Sequence, residues 1–269
     1  MPVDPHPYSR LTPDTVLNAL ETAGLRCDGR LLALNSYENR VYQVGLEEGG
    51  AVVAKFYRPE RWSNAQILEE HSFCAQLAAQ EIPVVAPLAF EGATLHHAQD
   101  FRFAVFPRRG GRAPELEDDK TLEWIGRFIA RLHAVGRTEA FRHRPALDIE
   151  SLGEASRIFL LESGFIPAEL VAAWTQAAHL ALQGVRHAFA RAGDYSTLRL
   201  HGDCHAGNVL WTPDSGNQRG GPHFVDLDDS RMGPAVQDIW MLVSGDRSSM
   251  GMSAPCSRDQ SIVLSGSAA

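Results

Sequence analysis

One stretch constrains this chain more than any other: a short polar loop between two apolar runs, residues 200–211, with the sequence LHGDCHAGNVLW. Within it, Asp203 precedes Asn208 by five positions. A second stretch, residues 223–229 (HFVDLDD), places Asp226 directly after an apolar pair that is typical of a strand. The two stretches therefore predict two loops that present carboxylates and an amide beside strands.

These polar groups match what phosphoryl transfer from a nucleotide requires. One carboxylate must accept or orient the proton of the attacking hydroxyl, while an amide oxygen and a second carboxylate hold Mg²⁺ on the phosphates. The corresponding kinase pattern is H-R-D-x-x-x-x-N followed by D-F-G. In this chain Gly202 stands in the place of the arginine, and residues 226–228 (DLD) stand in the place of D-F-G.

Each motif taken alone has a simpler explanation. An Asp–Asn pair in a loop commonly caps a turn, and Asp-x-Asp is frequent on protein surfaces. A zinc hydrolase site is another alternative, but it leaves Asn208 without a role. Its ligands would be His201, Asp203, His205 and Asp226. Because the two motifs occur in this order, each behind an apolar run, we favour phosphoryl transfer.

Composition excludes several other classes. The net charge is -8, with 25 Lys+Arg against 33 Asp+Glu, which argues against binding to nucleic acid through phosphate contacts. No apolar run approaches the about 20 residues that span a bilayer, and the N-terminus lacks the features of a signal peptide. We therefore expect a cytoplasmic monomer with neither nucleic-acid nor membrane partners. Its cysteines, interpreted as reduced thiols, are Cys27, Cys74, Cys204 and Cys256.

The strand-like runs in about the first hundred residues predict a small sheet that covers a nucleotide. The polar turn 35–39 would lie over the phosphates, where Ser36 offers a hydroxyl. Lys55 follows Val-Val-Ala, as in the V-A-I-K strand pattern, and a lysine that points inward from a strand needs an anionic partner. The alternatives are a plain hairpin turn and a solvated lysine at a strand end. The predicted strands of this part are 31–34, 41–44, 51–57, 84–88 and 101–107.

Helices are predicted from apolar periodicity and capping residues. Thr12-Pro13 is a typical helix start. A helix over 63–77 carries Glu69 and Glu70, either of which is expected to pair with Lys55. Further helices are predicted at 122–133 and 167–192, and a turn followed by a helix is predicted over 232–242. In the last of these, Asp238 either reaches back to fix the loop around Asp203 or is an acid favoured by the helix dipole.

Together these motifs resemble the kinase-like family of aminoglycoside and choline phosphotransferases. Within that superfamily, residues 35–42, 56–62, 200–211 and 224–229 resemble bacterial stress-response serine/threonine protein kinases, which are cytoplasmic. The resemblance extends over about residues 12–245. It implies an α+β, two-lobe, protein-kinase-like fold with a small antiparallel N-terminal sheet and a mainly helical C-terminal lobe.

The resemblance also implies roles for individual residues. Asp203 would be the proton acceptor and Asp226 a second active-site acid. Asn208 and Asp226 would hold Mg²⁺, with ATP as the co-substrate and Ser or Thr residues of proteins as acceptors. The implied ATP-binding residues are Ser36, Lys55 and Glu70. Aligning the family pattern favours Glu70 over Glu69 as the partner of Lys55, with Glu69 exposed to solvent.

The same resemblance predicts how the chain is divided. Residues 1–107 would form the N-terminal lobe, 106–108 the hinge where main-chain groups meet adenine, and 108–243 the C-terminal lobe. Family members continue with further helices, whereas residues 244–269 contain eight serines and no aromatic residue, a composition that favours disorder. We expect this tail to result from a frameshift or premature stop.

Two other functions remain open from the sequence. A small-molecule kinase of the same fold would act on choline, a sugar or an aminoglycoside, because fold does not fix the substrate. The acidic run 115–119 could attract such a cation, although runs of this kind are commonly solvated loops. The other alternative is an inactive, truncated remnant that binds nucleotide without turnover.

Overall fold

The computed structural model describes residues 7–215 and 220–243. Within these residues the chain combines helices with antiparallel strand pairs, which confirms the predicted α+β class. The strands are β1 (Cys27–Leu34), β2 (Arg40–Leu46), β3 (Ala51–Phe56), β4 (His96–Ala98), β5 (Phe101–Pro107), β6 (Leu198–Arg199), β7 (Val209–Thr212), β8 (Gly221–Phe224) and β9 (Met232–Gly233). The helices are α1 (Pro13–Thr22), α2 (Asn64–Ala79), α3 (Asp119–Gly136), α4 (Ala155–Glu162), α5 (Val171–Ala192) and α6 (Gln237–Trp240).

Five strands form the N-terminal sheet, in the order β1-β2-β3-β5-β4. Helix α1 begins as predicted, since the Thr12 hydroxyl accepts the backbone N–H of Thr15 and Pro13 occupies the first turn. The core of this part is apolar and includes Leu20, Phe56 and Phe103. In register, Lys55 of β3 stands between Val41 of β2 and Ala104 of β5. It therefore lies at the centre of the sheet.

The prediction of a strand at 84–88 is wrong. Only Val84 makes a bridge, to Phe224 of β8. Pro83 and Pro87 flank and interrupt this segment, and proline has no N–H to donate to a strand ladder. Two of the other N–H groups bond different strands: Val85 N–H donates to the Phe224 carbonyl and Leu88 N–H donates to the Val105 carbonyl. The segment therefore links β5 to β8 instead of extending the sheet.

Helix α2 connects the sheet to the rest of the chain. Ser63 and Gln66 form a reciprocal capping box at its start. Its buried face includes Phe73 and Leu77, which pack in one cluster with Leu132 of α3 and Leu227. This cluster joins residues on both sides of the predicted boundary at 107/108, and the division into lobes at that position remains a prediction.

The later part of the chain is mainly helical. Helix α3 runs to Gly136, three residues beyond its predicted end, and its buried side includes Ile125 and Ile129. The predicted helix 167–192 starts with a 3-10 turn at Ala168–Leu170 and continues as α5. No helix among residues 7–215 and 220–243 is long and apolar enough to cross a membrane. The predictions for the tail 244–269 lie outside the described residues.

Candidate active site

The loop that carries Asp203 is built by two short strands. Strand β6 leads into it, and a 3-10 turn, Ala206–Asn208, leads out into β7. Within the loop, the Asn208 side-chain amide donates to the backbone carbonyl of Asp203 at 2.9 Å and to its carboxylate at 3.1 Å. The five-residue spacing in the sequence therefore brings the two predicted residues into direct contact.

The start of this loop is fixed by a buried carboxylate. Asp238 of α6 accepts the backbone N–H of His201 at 2.9 Å and that of Gly202 at 2.8 Å. Of the two predicted roles for Asp238, the structure shows the one in which it holds the loop. Burial raises the pKa of Asp238, but hydrogen bonding and attraction from His133 outweigh burial and leave it lowered. The carboxylate therefore stays ionised and accepts both N–H groups.

Gly202 explains why this chain has no arginine in the kinase pattern. Its φ is +89°, in the left-handed region that favours glycine. A Cβ at this position would collide with the backbone carbonyl of Asp229. The close approach of the two loops at this point therefore requires a residue without a side chain.

The second predicted acid lies where β8 ends. Asp226 has a left-handed backbone, with φ +57°, and its side chain is 51% exposed. Its Oδ1 lies 2.8 Å from Nζ of Lys55, which also lies 3.1 Å from Oδ1 of Asp228. Burial lowers the pKa of Lys55, but the carboxylates of Asp226 and Asp228 more than compensate and raise it well above its usual value. Lys55 is therefore a buried cation, as the sequence predicted.

Asp228 is a site residue to which sequence analysis gave no role. It is 5% exposed, and its Oδ2 accepts from Asn39 at 3.2 Å and from the Trp62 indole at 3.3 Å. Burial raises its pKa, but attraction to Lys55 prevails and the pKa is lowered. The Asp-x-Asp spacing was the only available signal, because Asn39 and Trp62 are far away in the sequence.

The predicted choice between Glu69 and Glu70 needs a correction. Glu70 is buried and lies in the same cavity as Lys55, but among the described residues its ion pair is with Arg144, at 3.7 Å. Burial outweighs attraction to Lys55 and raises the pKa of Glu70 to about 7. Glu69 is only partly exposed, since it accepts backbone N–H groups from Arg142, His143 and Arg144. The carboxylates that pair with Lys55 are those of Asp226 and Asp228, which the prediction from the sequence did not consider as its partners.

The predicted residues surround one cavity of about 310 Å³ between the sheet and the later loops. Asp203 lies beside this cavity through its contacts with Asn208. Phe106 and Pro107 of the predicted hinge also line this cavity. The predicted ATP-binding and metal-binding residues that line it are Ser36, Lys55, Glu70, Asn208 and Asp226. The arrangement gives an apolar slot with a cation, carboxylates and an amide at one end, which suits a nucleotide and its phosphates.

Comparison with known proteins decides the family. The sequence model of the phosphotransferase enzyme family matches residues 30–258. This chain belongs to the phosphotransferase enzyme family. It is 48% identical to "Stress response kinase A" of Shigella flexneri over 246 residues, which are 91% of this chain and 72% of that protein. It is 46% identical, with the same coverage, to "Serine/threonine protein kinase RdoA" of Salmonella typhimurium.

Solved structures agree on the fold of this phosphotransferase. An amicoumacin kinase superposes with a TM-score of 0.71 at 18% identity, covering 93% of this chain and 78% of its own. A microcompartment-associated aminopropanol kinase gives 0.68 at 21% identity, covering 92% and 81%. The predicted kinase-like fold is therefore confirmed. With the family match and the kinases among its relatives, the chain is an enzyme of the ATP-dependent phosphotransferase class.

The zinc alternative does not fit this phosphotransferase. Among the residues that the structure describes, no three His, Cys, Asp or Glu side chains cluster as a metal site would require. His201 is buried, and its Nε2 lies 3.0 Å from the carbonyl of Val225. It therefore supports the chain segment before Asp226 instead of offering a free ligand.

The residues do fit a hard divalent cation that is held together with phosphates. Asn208 uses its NH₂ group on Asp203, which leaves its amide oxygen as an acceptor. Asp226 offers a half-exposed carboxylate in the same cavity. One amide oxygen and one carboxylate are typical protein ligands of Mg²⁺, which takes its remaining ligands from water and phosphate oxygens.

Proposed function

We propose that this enzyme is an ATP- and Mg²⁺-dependent serine/threonine protein kinase in which Asp203 accepts the proton of the attacking hydroxyl. The observation that carries the proposal is the contact between Asp203 and Asn208 beside a cavity that also contains Lys55 and Asp226. These groups supply a base, a cation and metal ligands, which is the set of groups that kinases use.

The proposed reaction follows from these positions. The substrate hydroxyl oxygen attacks the γ-phosphorus as its proton passes to the Asp203 carboxylate, and the bond from the γ-phosphorus to the bridging oxygen breaks to release ADP. Asn208 orients the carboxylate of Asp203 through its amide. Lys55 places a buried positive charge beside the phosphates. Mg²⁺, held by Asn208 and Asp226, would neutralise phosphate charge when bound.

Several observations support the nucleotide, the metal and the acceptor. The structurally similar amicoumacin kinase was determined with AMP-PNP, an ATP analogue, and Ca²⁺. The names of the relatives support a Ser/Thr acceptor and a role in the bacterial stress response. We place the enzyme in the cytoplasm, where ATP is available and where thiols such as Cys27, Cys74 and Cys204, which form no disulfide, remain reduced.

Transfer of labelled γ-phosphate from Mg·ATP tests this proposal. The acceptors would be the enzyme itself, a generic unfolded protein, and choline, a sugar and an aminoglycoside. Label on Ser or Thr that disappears in Asp203→Asn supports the proposal. The matched control is Asp100→Asn, which removes an exposed carboxylate paired with Arg10. Label on the small alcohols alone would instead establish a small-molecule kinase.

A further inference from the structure

The segment between β3 and α2 has no role in the reaction described above. Residues 57–62 read YRPERW, and neither Arg61 nor Trp62 lines the nucleotide cavity. Both nevertheless contact the two loops that form its phosphate end. These are the loop 35–39, called here the phosphate loop, and residues 226–229 (DLDD), called here the acid motif.

Arg61 joins one residue of each loop. Its Nε lies 2.7 Å from a carboxylate oxygen of Glu38 in the phosphate loop. Its terminal nitrogen lies 3.3 Å from Oδ1 of Asp229 in the acid motif. The three side chains are between 30% and 35% exposed, so both ion pairs are only partly screened by solvent.

Trp62 makes a second, independent connection. Its indole N–H donates to Asp228 of the acid motif at 3.3 Å. The guanidinium groups of Arg61 and Arg144 lie 4.5 Å and 4.4 Å from its ring centroid. The ring is 6% exposed. Because cations lie against the buried ring, its orientation and that of its N–H are well defined.

The phosphate loop is also held at its last residue. Asn39 accepts the backbone N–H of Arg58 at 3.1 Å through its side-chain oxygen. Its NH₂ group donates to Asp228 at 3.2 Å. Asn39 is 4% exposed. The loss of either hydrogen bond would therefore leave a buried polar group unsatisfied, which is costly in free energy.

We propose that residues 58–62 form a bracket that fixes the phosphate loop against the acid motif, with Arg61 and Trp62 as positioning residues. The nucleotide and metal that make this position useful rest on the proposed function. The bracket sets the distance between Ser36 and Asp226, which both line the cavity. Its loss should weaken nucleotide binding and loosen the phosphate loop while the rest of the fold remains intact.

Three variants and a matched control test the bracket. Arg61→Met removes both ion pairs, and Arg61→Lys retains a charge that can reach one carboxylate. Trp62→Phe retains an aromatic ring, though a smaller one, and removes the indole N–H. The control is Arg127→Met, which breaks an exposed arginine–glutamate pair on α3. The measurements are the dissociation constant of Mg·ATP and amide hydrogen exchange of residues 35–39 without nucleotide.

We expect Arg61→Met to weaken Mg·ATP binding by about three- to tenfold, since partly buried charged pairs contribute more than exposed ones. Exchange of residues 35–39 should become faster, with Arg61→Lys intermediate. Trp62→Phe should change both readouts in the same direction, and it serves if Arg61→Met fails to fold.

The bracket would be overturned if amide hydrogen exchange of residues 35–39 were unchanged in the Arg61 and Trp62 variants. It would also be overturned if these variants bound Mg·ATP no more weakly than Arg127→Met does. Neither readout requires knowledge of the phosphate acceptor. An enzyme whose bracket variants bind Mg·ATP more weakly, but which labels no protein, would therefore refute the protein-kinase proposal and leave the bracket standing. Amide hydrogen exchange of residues 35–39 without nucleotide would test the bracket even if ATP did not bind.

Discussion

Asp238 lies 2.9 Å from the imidazole of His133, a residue 105 positions earlier in the chain. Both side chains are fully buried. The same carboxylate accepts the N–H groups of His201 and Gly202, at the start of the loop that carries Asp203. One buried acid thus connects helix α3, helix α6 and the loop that carries Asp203, so that the position of the proposed base depends on packing far from the cavity.

Replacing this acid should affect both stability and rate. Asp238→Asn keeps the shape of the side chain but turns an NH₂ group toward a donor, which leaves buried groups unsatisfied. We expect a loss of about 1–3 kcal/mol in the free energy of unfolding, measured by urea denaturation, and a lower kcat. Equal stability in the variant and the wild type would contradict the assigned contacts.

Asp203→Asn should leave the fold and nucleotide binding intact and slow the chemical step. Removal of a general base typically lowers a rate by about 10²–10⁴-fold. Initial rates of phosphate transfer and the affinity for Mg·ATP, measured on the same preparation, separate the two effects. A variant that retains more than a tenth of the wild-type rate would show that Asp203 is not the proton acceptor.

Asp226→Asn should act chiefly through the metal. We expect the Mg²⁺ concentration for half-maximal nucleotide binding to rise by about tenfold or more, because loss of even an indirect metal partner costs about that much. Lys55 retains Asp228 as a partner, so binding of ATP without Mg²⁺ should change much less. If the affinity for ATP fell equally with and without Mg²⁺, Asp226 would act on Lys55 alone.

Glu70→Gln should change how stability depends on pH. The pKa of Glu70 is raised from 4.5 to about 7, so between these values the folded protein holds a proton that the unfolded chain releases. The contribution of Glu70 to the free energy of unfolding is therefore highest below about pH 4.5. It falls as the pH rises from there through about 7. Glutamine imitates the protonated acid and avoids this loss.

The variant should thus become more stable than the wild type as the pH increases from 5 to 8. The gain should not exceed about 3 kcal/mol, since each pKa unit corresponds to about 1.4 kcal/mol. Urea denaturation at both pH values measures it, and Glu81→Gln at a solvent-exposed position is the control. A stability difference that does not vary with pH would refute the assignment.

The parts of the site that sequence predicts are those set by local spacing. Asp203 and Asn208 are five residues apart in one loop, and Lys55 follows a recognisable strand, so each could be located from its neighbours in the chain. Asp228 could not be given a role in this way. Its partners Asn39 and Trp62 lie more than 160 residues away, and only the tertiary fold brings them together.

The errors have the same origin. Glu69 looked like an exposed helix residue because its partners are backbone N–H groups 73 to 75 positions later in the chain. Such groups carry no side-chain signature. The segment 84–88 looked like a strand because its valines favour one. Strand pairing also requires N–H donors, which Pro87 and the preceding Pro83 do not supply.

The cluster of Phe73, Leu77, Leu132 and Leu227 has a consequence for folding. Two of these side chains come from helix α2 and two from residues beyond position 108, so this part of the apolar face of α2 is fully covered only when both halves of the chain are present. A fragment ending at residue 107 would expose that face to water. The parts of the chain before and after residue 108 should therefore unfold in one cooperative transition, because they share this buried cluster.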